Sequence, residues 1–183
     1  METFTELKDF VNDPHYHEKR QESLTSLDLN TIDAPIVEII DGFSKLPYCF
    51  TLQSCYGHFL HKNQENPKNI EPLPISDSIA RVKYRIAYIA LCIQNSDLGR
   101  VLFQHLRRIP VIDPEYIQFG CAEWFWKRQL NSYVLQIEPK RYITRDTVSI
   151  SYQEALHIEM VRNEFFNGLK KIIQEGPQKK QSG

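Results

Sequence analysis

The stretch Val82-Lys83-Tyr84-Arg85-Ile86-Ala87-Tyr88-Ile89-Ala90-Leu91-Cys92-Ile93-Gln94-Asn95-Ser96-Asp97-Leu98-Gly99-Arg100-Val101-Leu102-Phe103-Gln104-His105-Leu106 changes its period part-way, and that change decides the fold class. Residues 82–93 alternate in apolar character and are rich in β-branched side chains, which predicts a strand. From Asn95 or Ser96, whose short polar side chains can cap a helix, Leu98, Val101, Leu102, His105 and Leu106 recur at helical spacing. The helix should end at Arg107-Arg108, before Pro110.

Toward the C-terminus, two further strands are expected, Tyr116 to Phe125 and Tyr133 to Ile137, followed by a long helix. Ser151 and Glu154 form the S-x-x-E capping box, in which hydroxyl and carboxylate satisfy each other's backbone donors. Ile158, Val161, Phe165, Leu169 and Ile172 are its buried stripe, and Gly176-Pro177 terminates it. Toward the N-terminus, Phe4, Leu7, Phe10 and Val11 predict a short helix over Thr5 to Asn12, closed by Pro14; the polar run from His15 to Ser26 is patterned only weakly, as a partial helix. Asp33 is placed to cap the next helix, with Pro35 in its first turn and Ile36, Ile39, Ile40 and Phe43 on one face. Tyr48 to Leu60 reads as a strand bent at Gly57, and the proline-bearing residues 61–78 as a long loop. Elements mixed in this order predict a single compact α+β domain over residues 1–176, a mixed or antiparallel sheet packed by helices, with a flexible tail over 177–183.

The 183 residues, 25% charged and 42% hydrophobic, exclude a collagen, a disordered tail protein and a disulfide-rich miniature. The formal net charge of −1 conceals a bipolar chain. Residues 1–42 carry ten acidic and three basic side chains, and residues 81–145 eleven basic and five acidic. The basic middle suits a polyanion such as RNA; alternatively it lies against the acidic N-terminal part. Cys49, Cys55, Cys92 and Cys121 are too few and scattered for a disulfide framework. The acidic start, Met1-Glu2-Thr3-Phe4-Thr5-Glu6, has no apolar core segment, and the apolar run from Ile86 to Ile93 falls far short of the roughly 20 residues that cross a bilayer. A reduced cytoplasmic protein without a membrane partner is the expectation.

Nucleophiles, hydroxyls and imidazoles concentrate in Tyr48-Cys49-Phe50-Thr51-Leu52-Gln53-Ser54-Cys55-Tyr56-Gly57-His58-Phe59-Leu60-His61. A zinc site from Cys55, His58 and His61 has the right donors but no second pair nearby, and strand residues three apart face opposite sides, so no metal is expected. A Cys55 nucleophile activated by His58 has a base but no orienting third group. In a third reading, Ser54-Cys55-Tyr56-Gly57 is a polar turn that offers backbone N–H groups and small side chains to a ligand. A bent strand whose cysteines are small buried hydrophobes remains the plain alternative.

The stretch from Asp33 to Phe59 resembles the signature of the tRNA wybutosine-synthesising protein 3 family. There an aspartate opens a helix that leads into a Phe-Thr-Thr-Ser-Ser-Cys-Ser-Gly-Arg strand. Phe50, Thr51, Ser54, Cys55 and Gly57 fall on that pattern in register, whereas Leu52, Gln53, Tyr56 and His58 depart from it. Glu138-Pro139 resembles a Glu-Pro element of the family. The resemblance implies an α+β fold, S-adenosylmethionine as cofactor, methylation of a tricyclic guanosine derivative in tRNA, and a ligand site at Thr51, Ser54, Cys55, Gly57 and His58. A divergent relative sharing the fold but not the substrate is the form it takes here.

Trp124-Phe125-Trp126-Lys127-Arg128 interleaves aromatics with positive charge, as single-strand nucleic-acid platforms do. Trp124, Trp126, Lys127 and Arg128 are therefore candidate tRNA contacts; the tryptophans equally suit strand core or a homodimer interface. The competing functional class is a non-enzymatic ligand-binding or homo-oligomeric assembly module.

Overall fold

The computed structural model describes residues 4–139, 141 and 146–176, so the expected tail over 177–183 lies outside the described residues. Its strands are β1 (Phe4–Thr5), β2 (Cys49–Cys55), β3 (His58–Leu60), β4 (Arg81–Arg85), β5 (Ala87–Ile93), β6 (Ile117–Ala122), β7 (Ser132–Ile137) and β8 (Thr147–Ser151). Its α-helices are α1 (Tyr16–Ser26), α2 (Val37–Ser44), α3 (Asp97–Leu106), α4 (Glu123–Arg128) and α5 (Tyr152–Glu175). The strands form a five-stranded sheet in the order β1-β6-β7-β5-β2 and a three-stranded sheet in the order β3-β4-β8. Every ladder is antiparallel, which settles the α+β expectation on its antiparallel form.

The larger sheet is buried on both faces. Ile89, Leu91 and Ile93 of β5 join Tyr133, Leu135 and Ile137 of β7 in the main core, with α2, α3 and α5 packed over them. Ile36, from the short 3-10 turn before it, and Ile39, Ile40 and Phe43 of helix α2 are all fully buried, each worth roughly 1.5–3 kcal/mol relative to exposure. On the opposite face, Tyr16 of α1 packs on Phe50 and Cys92, and Phe125 of α4 packs on Ala90 and Val134. Helix α5 joins the sheets, touching β7 of the larger and β4 and β8 of the smaller.

Several expectations change. Residues 5–12 are not a helix: Phe4 and Thr5 pair with Ala122 and Cys121, and the chain then continues without regular structure up to α1. Its backbone groups find distant partners instead of helical ones: Lys8 N donates to Cys121 Sγ, and Val11 N donates to Asn131 Oδ1. The strand expected over 82–93 is two strands in different sheets, divided at Ile86. The strand expected over Tyr116 to Phe125 ends at Ala122 and continues as α4. The capping box is half made. Ser151 Oγ accepts from Glu154 N at 3.2 Å, while the Glu154 carboxylate serves Tyr116 and Arg141 instead.

Candidate functional site

Gly57 decides the local geometry. Strand β2 ends at Cys55, and Gly57 turns the chain with φ +88°, a conformation that side chains other than hydrogen rarely adopt. Because the strand stops there, the alternation that would separate Cys55 from His58 no longer applies. The turn carries His58 into β3 and brings its ring back over Cys55. Asp33, expected as a helix cap, makes no capping bond; a short 3-10 turn over Ala34–Ile36 follows it instead. Its carboxylate accepts the Tyr56 N–H at 2.8 Å and lies 3.3 Å from His58 Nε2. Carboxylate, thiol and imidazole converge so that their polar atoms all lie within 4.8 Å of one another.

His58 is buried and donates from Nδ1 to the Asn69 carbonyl at 2.9 Å, which leaves Nε2 aimed at the cluster. The Asp33 hydrogen bond, seconded by Cys55, raises the His58 pKa from 6.5 to about 10 against the opposing effect of burial. Reciprocally, the His58 hydrogen bond, the Tyr56 N–H and the nearby Arg85 charge hold the Asp33 carboxyl below its usual range. Carboxylate and imidazole thus each favour the other's charged form.

Arg162 of α5 fixes the turn from behind. Its Nη1 donates to the Gly57 carbonyl at 2.9 Å, and its guanidinium lies 4.0 Å from the ring centre of Tyr56 and 5.0 Å from that of Phe59. Behind it, Tyr84 donates to the Ile137 carbonyl and accepts from Ala87 N, both at 2.9 Å, and so ties the end of the larger sheet to the smaller one. Sequence reasoning did not name Arg162 or Tyr84. Arg162 had a signal: it sits four residues after Ile158 and three before Phe165, a charged position inside the buried stripe of α5.

The predicted ligand residues divide into two groups. Cys55, Gly57 and His58 come together with Asp33. Thr51 and Ser54 lie opposite Leu91 and Ile89 in the ladder, on the face of β2 away from Cys55, and both hydroxyls are buried without a hydrogen-bond partner. Cys55 instead stands opposite Tyr88, which aligns with Gln136 and then Gln118, so one row of side chains crosses β2, β5, β7 and β6. Gln136 donates to the buried Glu138 at 3.1 Å, and Gln118 Nε2 is buried without a partner. His61 is carried off by a bridge to Gln64 and does not reach the cluster.

The tryptophans do not form a pair. On helix α4, unlike on a strand, Trp124 points outward, 48% exposed, with the Arg128 guanidinium 3.6 Å from its ring centre. Trp126 turns toward the core, its ring 5.8 Å from Tyr133 and covered by Lys8. Lys127 and Arg128 are exposed beside Trp124. The acidic N-terminal part does touch the basic middle, although the ion pair between them runs against the bulk charges, Lys8 to Glu123 at 2.6 Å. The four cysteines are buried free thiols, and no helix among the described residues is long and apolar enough to cross a membrane.

No family model and no curated protein matches the chain. Among solved structures it is similar to the PH1069 protein from Pyrococcus horikoshii, with a TM-score of 0.49 and 11% identity over 88% of this chain and 93% of that one. A second structure of that protein, from Pyrococcus horikoshii OT3, gives 0.47 at 10% identity over 89% and 94%. A hypothetical protein from Aeropyrum pernix gives 0.40 at 15% identity over 78% and 96%.

Proposed function

We propose that this chain is a tRNA-modification protein of the S-adenosylmethionine-dependent methyl-transfer type, with its ligand site at the turn formed by Cys55, Gly57 and His58. One observation carries the reading. Asp33 opens the stretch that resembles the wybutosine-synthesis signature and Cys55 falls on its strand, and the two meet in one cluster with His58, which stands where the signature has arginine. Asp33 is the most open member, its side chain 24% exposed, and presents a carboxylate to hydroxyl or amino groups of a bound nucleoside. The row that extends from Cys55 ends on Gln118, whose Nε2 has no partner and is a donor of the kind a purine edge accepts. Exposed Trp124, Lys127 and Arg128 supply an aromatic face and positive charge for the RNA.

The test is thermal denaturation with S-adenosylmethionine or S-adenosylhomocysteine. A ligand at about 100 times its Kd stabilises the folded state by about 2.7 kcal/mol, a readily measured rise in Tm. The rise should be lost in Asp33→Asn and kept in Lys127→Ala. Binding to bulk tRNA should weaken steeply with salt. No Tm response to either compound, together with no tRNA binding at low salt, overturns the reading in favour of a non-enzymatic module.

A further inference from the structure

We propose that Asp33, Cys55 and His58 form a binding site for a divalent transition-metal cation of the zinc class. The inference goes beyond methyl transfer and stands whether or not a methyl donor binds.

Geometry comes first. The three donor atoms lie within 4.8 Å of one another, and Asp33 Oδ2 and His58 Nε2 are 3.3 Å apart. Bonds of about 2.0–2.1 Å at a tetrahedral angle place a nitrogen and an oxygen ligand about 3.3 Å apart, so this edge of the polyhedron is already set. The imidazole is oriented as a metal-bound histidine requires. Nδ1 donates to the Asn69 carbonyl at 2.9 Å, which fixes the tautomer that leaves the Nε2 lone pair free toward a cation. That same arrangement argues against a Cys-His-Asp relay. In a relay the carboxylate and the nucleophile use opposite ring nitrogens, but here the carboxylate faces Nε2 while a backbone carbonyl holds Nδ1, so the nitrogen opposite the carboxylate is not offered to the thiol.

The donor set selects the ion. Thiolate with imidazole suits zinc and cobalt, while calcium and magnesium prefer oxygen throughout. A thiolate and a carboxylate together match the charge of a dication inside a buried pocket, and the cation takes over the role that the His58 proton plays in its absence. Three protein ligands are the number found where a fourth position is kept for water or substrate. Asp33 is the most open of the three ligands and gives the cluster its side toward solvent. The frame is rigid: the Tyr56 N–H holds the Asp33 carboxylate, and Arg162 holds the Gly57 carbonyl between Cys55 and His58.

The full chain is stripped with a chelator, loaded separately with zinc or cobalt, dialysed and assayed for bound metal without methyl donor or RNA present. The expected result is a single retained equivalent and, for cobalt, a thiolate-to-metal charge-transfer band with the strong visible absorption of four-coordination. Cys55→Ala should abolish the charge-transfer band, while Cys49→Ala, Cys92→Ala and Cys121→Ala retain it. Asp33→Asn and His58→Gln should each weaken binding at least about tenfold. Cys55→Ser keeps size and polarity and serves where the alanine variant does not fold; far-UV circular dichroism reports folding in each case. No metal retained by the folded wild-type chain overturns the proposal. So does a charge-transfer band that survives substitution of Cys55, or affinity unchanged in Asp33→Asn. Metal retention without any Tm response to S-adenosylmethionine would support this site while refuting methyl transfer, so the two readings fail separately.

Discussion

Replacing Gly57 by alanine tests the turn on which the whole cluster depends. Gly57 has φ +88°, and an L-residue held in a left-handed conformation costs roughly 1–2 kcal/mol. The new methyl would lie 2.8 Å from Ala87 Cβ, 3.1 Å from Ala87 N and 3.2 Å from Ala87 Cα. Ala87 is fully buried, paired with Ile137 at the end of the β5–β7 ladder, and its N–H is held by Tyr84, so it cannot swing aside as a flexible side chain would. Overpacking of that kind adds about 1–3 kcal/mol. The expected destabilisation is about 2–4 kcal/mol, once the smaller unfolded-state entropy of alanine is set against the sum. Gly176→Ala is the control, because Gly176 also has positive φ, +58°, yet a Cβ there meets nothing within 4 Å. With φ +58° and ψ 161° it should cost only the backbone part, about 1–3 kcal/mol, with no contact added to it. Equilibrium urea unfolding followed by tryptophan fluorescence reads both, as a lower midpoint at unchanged slope. A Gly57→Ala midpoint within about 0.5 kcal/mol of wild type, or equal to that of Gly176→Ala, would refute the claim that contact with Ala87 fixes the turn.

The metal-free protein should lose stability on the alkaline side, because His58 has a folded pKa raised to about 10 from 6.5: the Asp33 interaction is complete below 6.5 and fades as pH climbs through about 10. Asp33 acts in the opposite sense, its contribution present above the ordinary 3.8 and lost as pH falls through its depressed value. Urea midpoints of wild type and Asp33→Asn measured from 6.5 to 10 should converge with rising pH, and parallel profiles would sink the argument. Tyr84→Phe should cost about 1–3 kcal/mol, since it strands the buried Ala87 N–H; a change below about 0.5 kcal/mol would mean that another acceptor takes over. Ser151→Ala should cost about 1 kcal/mol through loss of the cap on α5, read in the same urea titration, and Ser151→Thr should restore most of it.

What could be read along the chain was whatever the chain satisfies locally. Helix α5 was legible because its cap and its stripe of Ile158, Val161, Phe165 and Leu169 are set by neighbours three and four residues away. Strand β5, helix α3 and the bend at Gly57 were legible for the same reason. The break at Ile86 had a visible trace: Arg81 to Arg85 alternates exposed and buried, while Ala87 to Ile93 is almost wholly buried. Residues 5–12 misled because Leu7 and Phe10 reach the core from an extended chain as readily as from a helix, and sheet-edge pairing, not spacing, decided between them. Trp124 to Arg128 misled because a run of aromatics has strand propensity, while packing of Phe125 on Ala90 and Val134 selects a helical turn there.

The cluster of Asp33, Cys55 and His58 shows the limit most directly. His61 was the natural third donor by spacing, and Asp33 was assigned to a helix end. Contact reversed both roles. By itself the sequence determined an α+β chain, its long C-terminal helix, and a turn at Gly57 rich in chemical groups. Only the tertiary structure decided that Asp33, 23 residues before Tyr56, closes on that turn, and that Arg162, 105 residues after Gly57, grips it from behind. The reason is physical. A cap or an apolar stripe is satisfied within a few residues, so it leaves a pattern, whereas the partner of a buried charge is chosen by sheet register and helix packing. Those depend on the folding of the whole chain and leave no spacing to read.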